Sequence, residues 1–200
     1  MADHYFSSRP ESEREGRTVH ARLLGLPFTF RTDAGVFSKK GVDFGSRLLI
    51  ETVEIGRDAS FLDLGCGYGA VGIAIARAYP ETKATLVDIN ERAVQLAEEN
   101  ARLNGVEDRV RVQVSDGFAM LAGEEFNHIL FNPPIRAGKV VVYRLFAEAK
   151  EALRPGGSLW VVIRKQQGSA SAKKELDRLY GTVNLVKQKK GYWILQAVNN

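Results

Sequence analysis

The sequence has almost no cysteine. Its single thiol, Cys66, excludes an internal disulfide and any cysteine-rich zinc site, which agrees with a reducing compartment. The three histidines, His4, His20 and His128, do not stand at metal-ligand spacing, so no metal is expected; His128 falls inside an alternating strand pattern as a packing or surface residue. Long hydrophobic runs are also missing. The longest strongly apolar stretches, SLWVVI and KVVVYRLF, are far shorter than the ~20 residues a membrane-spanning helix needs. The opening MADHYFSSRPESEREGR has no apolar signal core, so a cytoplasmic protein without a membrane partner is expected. Repeats, low-complexity tracts and Pro/Ser-rich linkers are absent. Neither sign of charge dominates: 28 Lys and Arg against 24 Asp and Glu give a net charge of +4, a weak tilt toward an anionic partner such as nucleic acid.

What remains is a chain of 200 residues, 44% hydrophobic and 26% charged, enough for one domain with a real core. From residue 60 onward, short apolar runs alternate with stretches of helical period, the pattern of βαβ units and a mostly parallel sheet. Strands are predicted at 60–64, 83–89, 109–114, 126–131 and 158–163. The helices between and after them are predicted at 69–79, 91–103, 139–153 and 171–180. The third of these strands follows the stop signal Asn104-Gly105, and the fifth follows the turn Arg154-Pro155-Gly156-Gly157. Two last strands, TVNLVKQ and GYWILQAV, meet at Lys189-Lys190-Gly191 and form a hairpin. The expectation is an α/β domain over 1–200. Residues 1–58 form an N-terminal extension with a hairpin and a helix near Phe44–Val53, and 59–200 form a core of five parallel strands plus the antiparallel pair.

The chemistry gathers at the ends of these strands. Between the first strand and its helix stands Asp63-Leu64-Gly65-Cys66-Gly67-Tyr68-Gly69-Ala70-Val71-Gly72, a loop whose glycines permit a sharp turn and close approach of a ligand to the main chain. Asp88, at the end of the second strand, sits where an acid accepts hydrogen bonds from ribose hydroxyls. An adenosine-containing cofactor follows from the pair. Gly67, Gly69 and Gly72 satisfy the dinucleotide pattern, but Asp63 puts a carboxylate where a pyrophosphate would lie. A carboxylate repels phosphate and suits the ammonium of S-adenosylmethionine. At the third strand's end, Ser115-Asp116-Gly117 can hydrogen-bond an adenine edge, or form an ordinary turn.

After the fourth strand comes Phe131-Asn132-Pro133-Pro134-Ile135. Two consecutive prolines fix φ and disfavour helix at the preceding residues, so the Asn132 side chain and the Pro133 carbonyl are held at the strand's end. Two fixed oxygen acceptors suit an exocyclic amine, whose lone pair is delocalised into its ring. When they take its two hydrogens, the lone pair is released toward a neighbouring methyl sulfonium, and alignment does most of the catalysis.

With these residues in view, the chain resembles the class I S-adenosylmethionine-dependent methyltransferases, and in particular the small methyltransferase domain of 16S ribosomal RNA guanine-N2 methyltransferases. DLGCGYG at 63–69, VDIN at 87–90, SDGF at 115–118, NPPIRAGK at 132–139 and GVFSKKGVDFGSRLLI at 35–50 carry the resemblance, which covers nearly the whole chain. It implies a Rossmann-like seven-stranded methyltransferase sheet and S-adenosyl-L-methionine as cofactor. It also implies that Asp63, Gly65, Cys66, Gly67 and Gly69 line the methionine side, Asp88 and Ile89 the ribose, and Ser115, Asp116 and Gly117 the adenine, with Phe37 closing over the cofactor. Asn132, Pro133 and Pro134 would form the catalytic turn, with Asn132 also touching the cofactor.

Two departures stand out. Ile135 occupies a position where many amino-methyltransferases place Phe or Tyr to stack on a flipped base, so stacking must come from elsewhere or matter less. Related two-domain enzymes carry a further N-terminal copy of the fold, for which 200 residues leave no room. RNA grip is then expected from the N-terminal segment, from a homodimer or from another protein; monomer and homodimer both stay open. Beside Ile135, Arg136 and Lys139 are the substrate-binding candidates, followed by Arg164, Lys165, Lys187, Lys189, Lys190, Arg14, Arg17 and Arg22 as cations for phosphate. The expected activity is methylation of guanine N2 in 16S ribosomal RNA or the 30S subunit. Adenine-N6 and protein glutamine-N5 methylation, an NAD-dependent oxidoreductase and a non-catalytic RNA-binding module are the alternatives.

Overall fold

The computed structural model describes residues 16–33, 36 and 41–200. Strands β1 (Arg17–Leu23) and β2 (Leu26–Thr32) form a separate antiparallel hairpin, closed by Leu24 and Gly25, both at positive φ. Helix α1 (Phe44–Thr52) follows. The remaining strands are β3 (Ser60–Leu64), β4 (Lys83–Asp88), β5 (Val110–Val114), β6 (Phe126–Phe131), β7 (Leu153–Arg164), β8 (Thr182–Lys189) and β9 (Tyr192–Val198). They build one sheet in the order β5-β4-β3-β6-β7-β9-β8, parallel from β5 to β7 and antiparallel where β9 joins β7 and β8. The helices are α2 (Ala70–Ala78), α3 (Glu91–Leu103), α4 (Lys139–Glu151) and α5 (Ser169–Tyr180). This is the seven-stranded, Rossmann-like arrangement expected from the sequence.

Parallel strands must be covered on both faces, and their side chains alternate between two cores. Phe61, Leu130, Trp160, Val162 and Ile194 point to one core, closed by α1, α2, α3 and the β1–β2 hairpin. Leu62, Leu64, Ile129, Phe131, Val161 and Leu195 point to the other, under α4 and α5. The hairpin is moored by side-chain amides one turn apart on α3. Asn100 exchanges hydrogen bonds with the Arg31 main chain (2.7 and 2.9 Å) and Asn104 with that of Thr29 (3.2 and 2.9 Å). Asn100 also donates to the Tyr68 carbonyl at 2.8 Å, which ties the hairpin to the glycine loop.

One element differs from expectation. Strand β7 begins at Leu153, inside the predicted helix and before the predicted turn. Leu153 pairs with Phe126, the register then shifts, and pairing resumes at His128 with Ser158. The intervening Arg154, Pro155 and Gly156 are exposed, and Gly156 and Gly157 bond instead to Asn199. His128 is half-buried with Nδ1 3.0 Å from Ser158 Oγ, and burial lowers its pKa, so it packs rather than ligates. Among the described residues no helix is long and apolar enough to cross a membrane, and no cluster of three potential metal ligands occurs.

Candidate active site

The chain leaves β3 in one direction through the sheet, to β4 and β5, and later returns to the other side of β3 with β6. That reversal opens a cleft between the carboxyl ends of β3 and β6, the place where open α/β sheets bind ligands. Leu64 pairs with Phe131, so the glycine loop and the Asn-Pro-Pro turn leave the sheet side by side.

The loop is pinned from beneath. Cys66 donates its amide to Val87 (2.9 Å), Gly69 donates to Cys66 (2.9 Å), and Gly67 donates to Asp88 Oδ2 (2.8 Å). Gly65 and Gly67 both have positive φ, +70° and +57°, and a Cβ on either would meet only open space within 4 Å. These two form a bare backbone cradle. Gly69 and Gly72 serve packing instead, since a Cβ would lie 2.7 Å from Ile73 Cδ1 at position 69 and 2.7 Å from Leu86 Cδ1 at position 72. Gly72 lets α2 pack close to the sheet, and Gly69 leaves room for Ile73 and for Ala97 of α3.

Beneath the cradle lies Asp63, buried, with Oδ2 accepting the Gly72 amide at 2.8 Å. Burial and the nearby Asp88 carboxylate raise its pKa to about 7, only partly offset by that hydrogen bond. Asp88 is also shifted upward, chiefly by burial, although amides of Asn90 and Gly67 donate to it. The Cys66 thiol, buried between the two acids, is pushed up as well and stays a thiol. Among the described residues two carboxylates and no cation face the loop, an electrostatic preference for a positively charged ligand over a phosphate.

Further along the sheet edge, Ile89 is half-buried after β4. The Ser115 hydroxyl is committed to its own turn, donating to the Gly117 carbonyl (2.8 Å) and accepting from Met120 (3.2 Å). Asp116 is exposed and paired with Arg144 of α4 at 2.9 Å. Gly117, at φ +56°, lies so close to α4 that a Cβ would sit 2.5 Å from Leu145. Of the predicted adenine contacts, only Asp116 and the turn's main chain face outward.

The Asn-Pro-Pro turn contains a feature that sequence reasoning missed. Asn132 Nδ2 donates to Ser46 Oγ (3.1 Å), and Ser46 Oγ donates to Asp43 Oδ2 (2.6 Å), while Asp43 Oδ1 caps α1 through the Ser46 amide (3.1 Å). The proton order in this chain is forced. Ser46 Oγ gives its one proton to Asp43 Oδ2, so only its lone pairs are left to meet Asn132, which must present its amino group. The Asn132 amide is thereby oriented with its oxygen turned away from Ser46. Neither that oxygen nor the Pro133 carbonyl takes a hydrogen bond among the described residues; Pro133 is buried and Pro134 half-buried, and the Pro134 carbonyl accepts from Ala137 in a short turn at 135–137. The detectable signal was Asp43-x-x-Ser46 ahead of the apolar Leu48-Leu49-Ile50, the spacing of a helix cap.

Arg136 and Lys139 are exposed immediately after the turn, next to Val140, which is 84% exposed at the start of α4. The Ile135 side chain and Phe37 lie outside the described residues, as does Arg14. The structure thus brings Asp63, Gly65, Cys66, Gly67, Asp88, Asn132 and Pro133 around one cleft, and spreads Ile89, Ser115, Asp116 and Gly117 along its rim.

Comparison with known proteins agrees with this geometry. Residues 27–196 match the family described as methyltransferase small domain. The uncharacterized protein YbxB of Bacillus subtilis is 45% identical over 199 residues, covering 98% of each chain. The ribosomal RNA large subunit methyltransferase G of Pseudomonas aeruginosa is 35% identical over 96% of this chain and 51% of its own length. Among solved structures, the Thermus thermophilus 16S rRNA N2 G1207 methyltransferase, in complex with AdoMet and guanosine, superposes with a TM-score of 0.83 at 28% identity, covering 92% of this chain and 51% of that one. The chain therefore spans nearly all of YbxB but about half of either ribosomal RNA enzyme. With its cleft at the β3–β6 reversal and a family match over most of its length, this chain belongs to the methyltransferase small domain family.

Proposed function

We propose that this protein transfers a methyl group from S-adenosylmethionine to the exocyclic N2 of a guanine in ribosomal RNA. The observation that carries the reading is the Asp43–Ser46–Asn132 chain, which fixes the Asn132 amide with its oxygen turned away from Ser46, next to a Pro133 carbonyl that takes no hydrogen bond among the described residues. Two fixed acceptors match an amine with two hydrogens.

The cofactor fits the residues present. Gly65 and Gly67 leave open space where side chains would stand, and Asp63 and Asp88 supply negative charge with no cation beside them among the described residues. Asp63 would meet the methionine ammonium, Asp88 the ribose hydroxyls with its remaining lone pairs, and Asp116 with the main chain of the 115–117 turn the adenine. Cys66 and Ile89 add apolar contact. When bound, the cofactor supplies an electrophilic methyl on sulfur. Asn132 and Pro133 hold the target amine, draw on its two hydrogens and turn its lone pair toward the cleft. The fixed backbone of the two prolines keeps these acceptors from reorganising as charge develops, which is the source of most of the acceleration. Pro134 supports the turn, and Arg136 and Lys139 meet phosphates beside the target.

Ribosomal RNA as substrate is supported by the named activities of the Pseudomonas and Thermus relatives, one on the large subunit and one on 16S RNA. The test is transfer from radiolabelled S-adenosylmethionine to undermodified 30S and 50S subunits, naked 16S and 23S RNA, and a protein extract, with Asn132→Ala in parallel and nucleoside analysis of labelled RNA. Label in N2-methylguanosine that disappears in the variant is the expected result. Label in N6-methyladenosine or only in protein would overturn the guanine assignment.

A further inference from the structure

The carboxyl-end edge of the sheet extends beyond the catalytic turn. Strand β7 runs parallel to β6 and ends there with Arg164; β9 runs antiparallel to β7 and begins there with Tyr192, opposite Arg164. The β8–β9 turn, Lys190-Gly191, lies on the same edge. Two strand spacings separate β6 from β9, about 10 Å, the reach from one nucleotide to a neighbour.

At this spot two aromatic rings meet. Phe44, the first residue of α1, lies 5.5 Å from Tyr192 between ring centroids, and both are only partly buried. Lys190 Nζ rests 5.3 Å from the centre of the Phe44 ring and the Arg164 guanidinium 5.7 Å from that of Tyr192. Phe44 stands two residues from Ser46, the side chain that holds Asn132. The charge on β7, β8 and the β8–β9 turn is basic: Arg164, Lys165, Lys187, Lys189 and Lys190 are exposed, none forms an ion pair among the described residues, and no acid occurs from Arg178 to the end of the chain; the acid beside the rings, Asp43, has both oxygens taken up by the amide and hydroxyl of Ser46.

The turn itself carries a second observation. Lys190 and Gly191 both have positive φ, +48° and +78°, a geometry that favours asparagine or glycine in the first place and disfavours a long side chain. A strained backbone that presents a lysine at the tip, when a better turn former is one substitution away, points to a use for its charge.

We infer that Phe44, Tyr192, Arg164 and Lys190 dock a single-stranded RNA nucleotide flanking the target guanine, with its base on the aromatic pair and its phosphate on the cations. The inference rests on the ribosomal RNA function proposed above and supplies the stacking surface that Ile135 does not offer. A cation on an exposed ring is held less tightly than a stacked base, so an arriving base displaces Lys190 and Arg164 toward its phosphate.

Four variants test it: Tyr192→Ala, Lys190→Asn, Lys190→Arg, and Lys83→Ala at the opposite edge of the sheet as control. Each is measured for thermal stability, S-adenosylmethionine affinity, methylation of ribosomal subunits, and binding of a guanine-containing single-stranded oligoribonucleotide across a salt series. Lys190→Asn should be at least as stable as the parent yet raise KM for RNA, with the salt slope of binding shallower by about 0.7. Lys190→Arg should restore both. Tyr192→Ala should weaken RNA binding roughly 5- to 150-fold with cofactor affinity unchanged. If the parent methylates RNA but Lys190→Asn and Tyr192→Ala bind it equally well, the docking point is wrong. If the parent neither binds nor methylates RNA, the substrate assignment itself falls, and the docking point with it.

Discussion

Replacing Asp63 with asparagine should make the ligand-free protein more stable and nearly abolish cofactor binding. Asp63 is only 4% exposed, and its Oδ2 already accepts the Gly72 amide, a bond the asparagine oxygen can keep. What the substitution removes is a charge that no cation among the described residues balances. The carboxyl titrates at about 7 in the folded protein, against an ordinary value near 4 in the unfolded chain. Between those values the folded state holds a proton that the unfolded state has lost, so stability falls as pH rises through this window and levels off above about 7. Some three pH units correspond to about 4 kcal/mol, an upper figure because the pocket relaxes and admits water. Calorimetric melts should therefore show the variant close to the parent at pH 4 and several degrees above it at pH 8, Asp88 leaving a residual slope in both.

Binding moves the other way. A neutral amide cannot pair with the cofactor's ammonium, and losing one partner of a buried charge pair costs about 2–5 kcal/mol, roughly 30- to several-thousand-fold in affinity. In the parent, binding must expel the Asp63 proton, so titration calorimetry should show affinity rising from pH 5 and flattening near 7. A variant that is no more stable than the parent at pH 8, or that binds S-adenosylmethionine equally well, would refute this account of the acid.

Four further substitutions separate roles in the cleft and in the hairpin tied to it. Ser46→Ala frees the Asn132 amide to flip and should lower kcat about tenfold, a loss on the scale of one hydrogen bond, with cofactor affinity unchanged; an unaltered kcat in single-turnover assays would remove Ser46 from catalysis. Gly72→Ala drives a methyl into Leu86 and the Asp63 carboxylate and should lower urea-melt stability by about 1–3 kcal/mol, whereas Gly65→Ala meets no atom. The latter should cost about 1–2 kcal/mol in backbone strain and show its main effect as lost cofactor binding. Asn100→Ala leaves the Arg31 main chain and the Tyr68 carbonyl without their partner and should cost about 2–3 kcal/mol, with limited proteolysis appearing first in the β1–β2 hairpin.

The division between what was and was not legible in the sequence follows the range of the interactions. Five parallel strands, the four helices among and after them and a terminal hairpin could be read because hydrophobic period is a local signal, and the start of β7 could not. Pro155-Gly156-Gly157 spells a turn, and only distant partners draw Leu153 into the sheet ahead of it: it pairs with Phe126, and its carbonyl accepts from the Asn199 side-chain amide at 2.8 Å. The glycine loop was readable as a loop, but four identical letters hide two roles: Gly65 and Gly67 leave room for a ligand, while Gly69 and Gly72 leave room for Ile73 and Leu86. Asp116 looks like a free acid until folding brings Arg144 to it from α4. Asn132 and its prolines are conspicuous in the sequence, whereas the serine that orients the amide is 86 residues away and resembles an ordinary helix cap. That resemblance has a physical basis. The same Asp43 carboxylate that satisfies the first turn of α1 fixes the Ser46 proton, so the helix that covers the sheet also sets which atom of Asn132 faces the cleft. Loosening the start of α1 should therefore be felt at the Asn-Pro-Pro turn before it is felt in global stability.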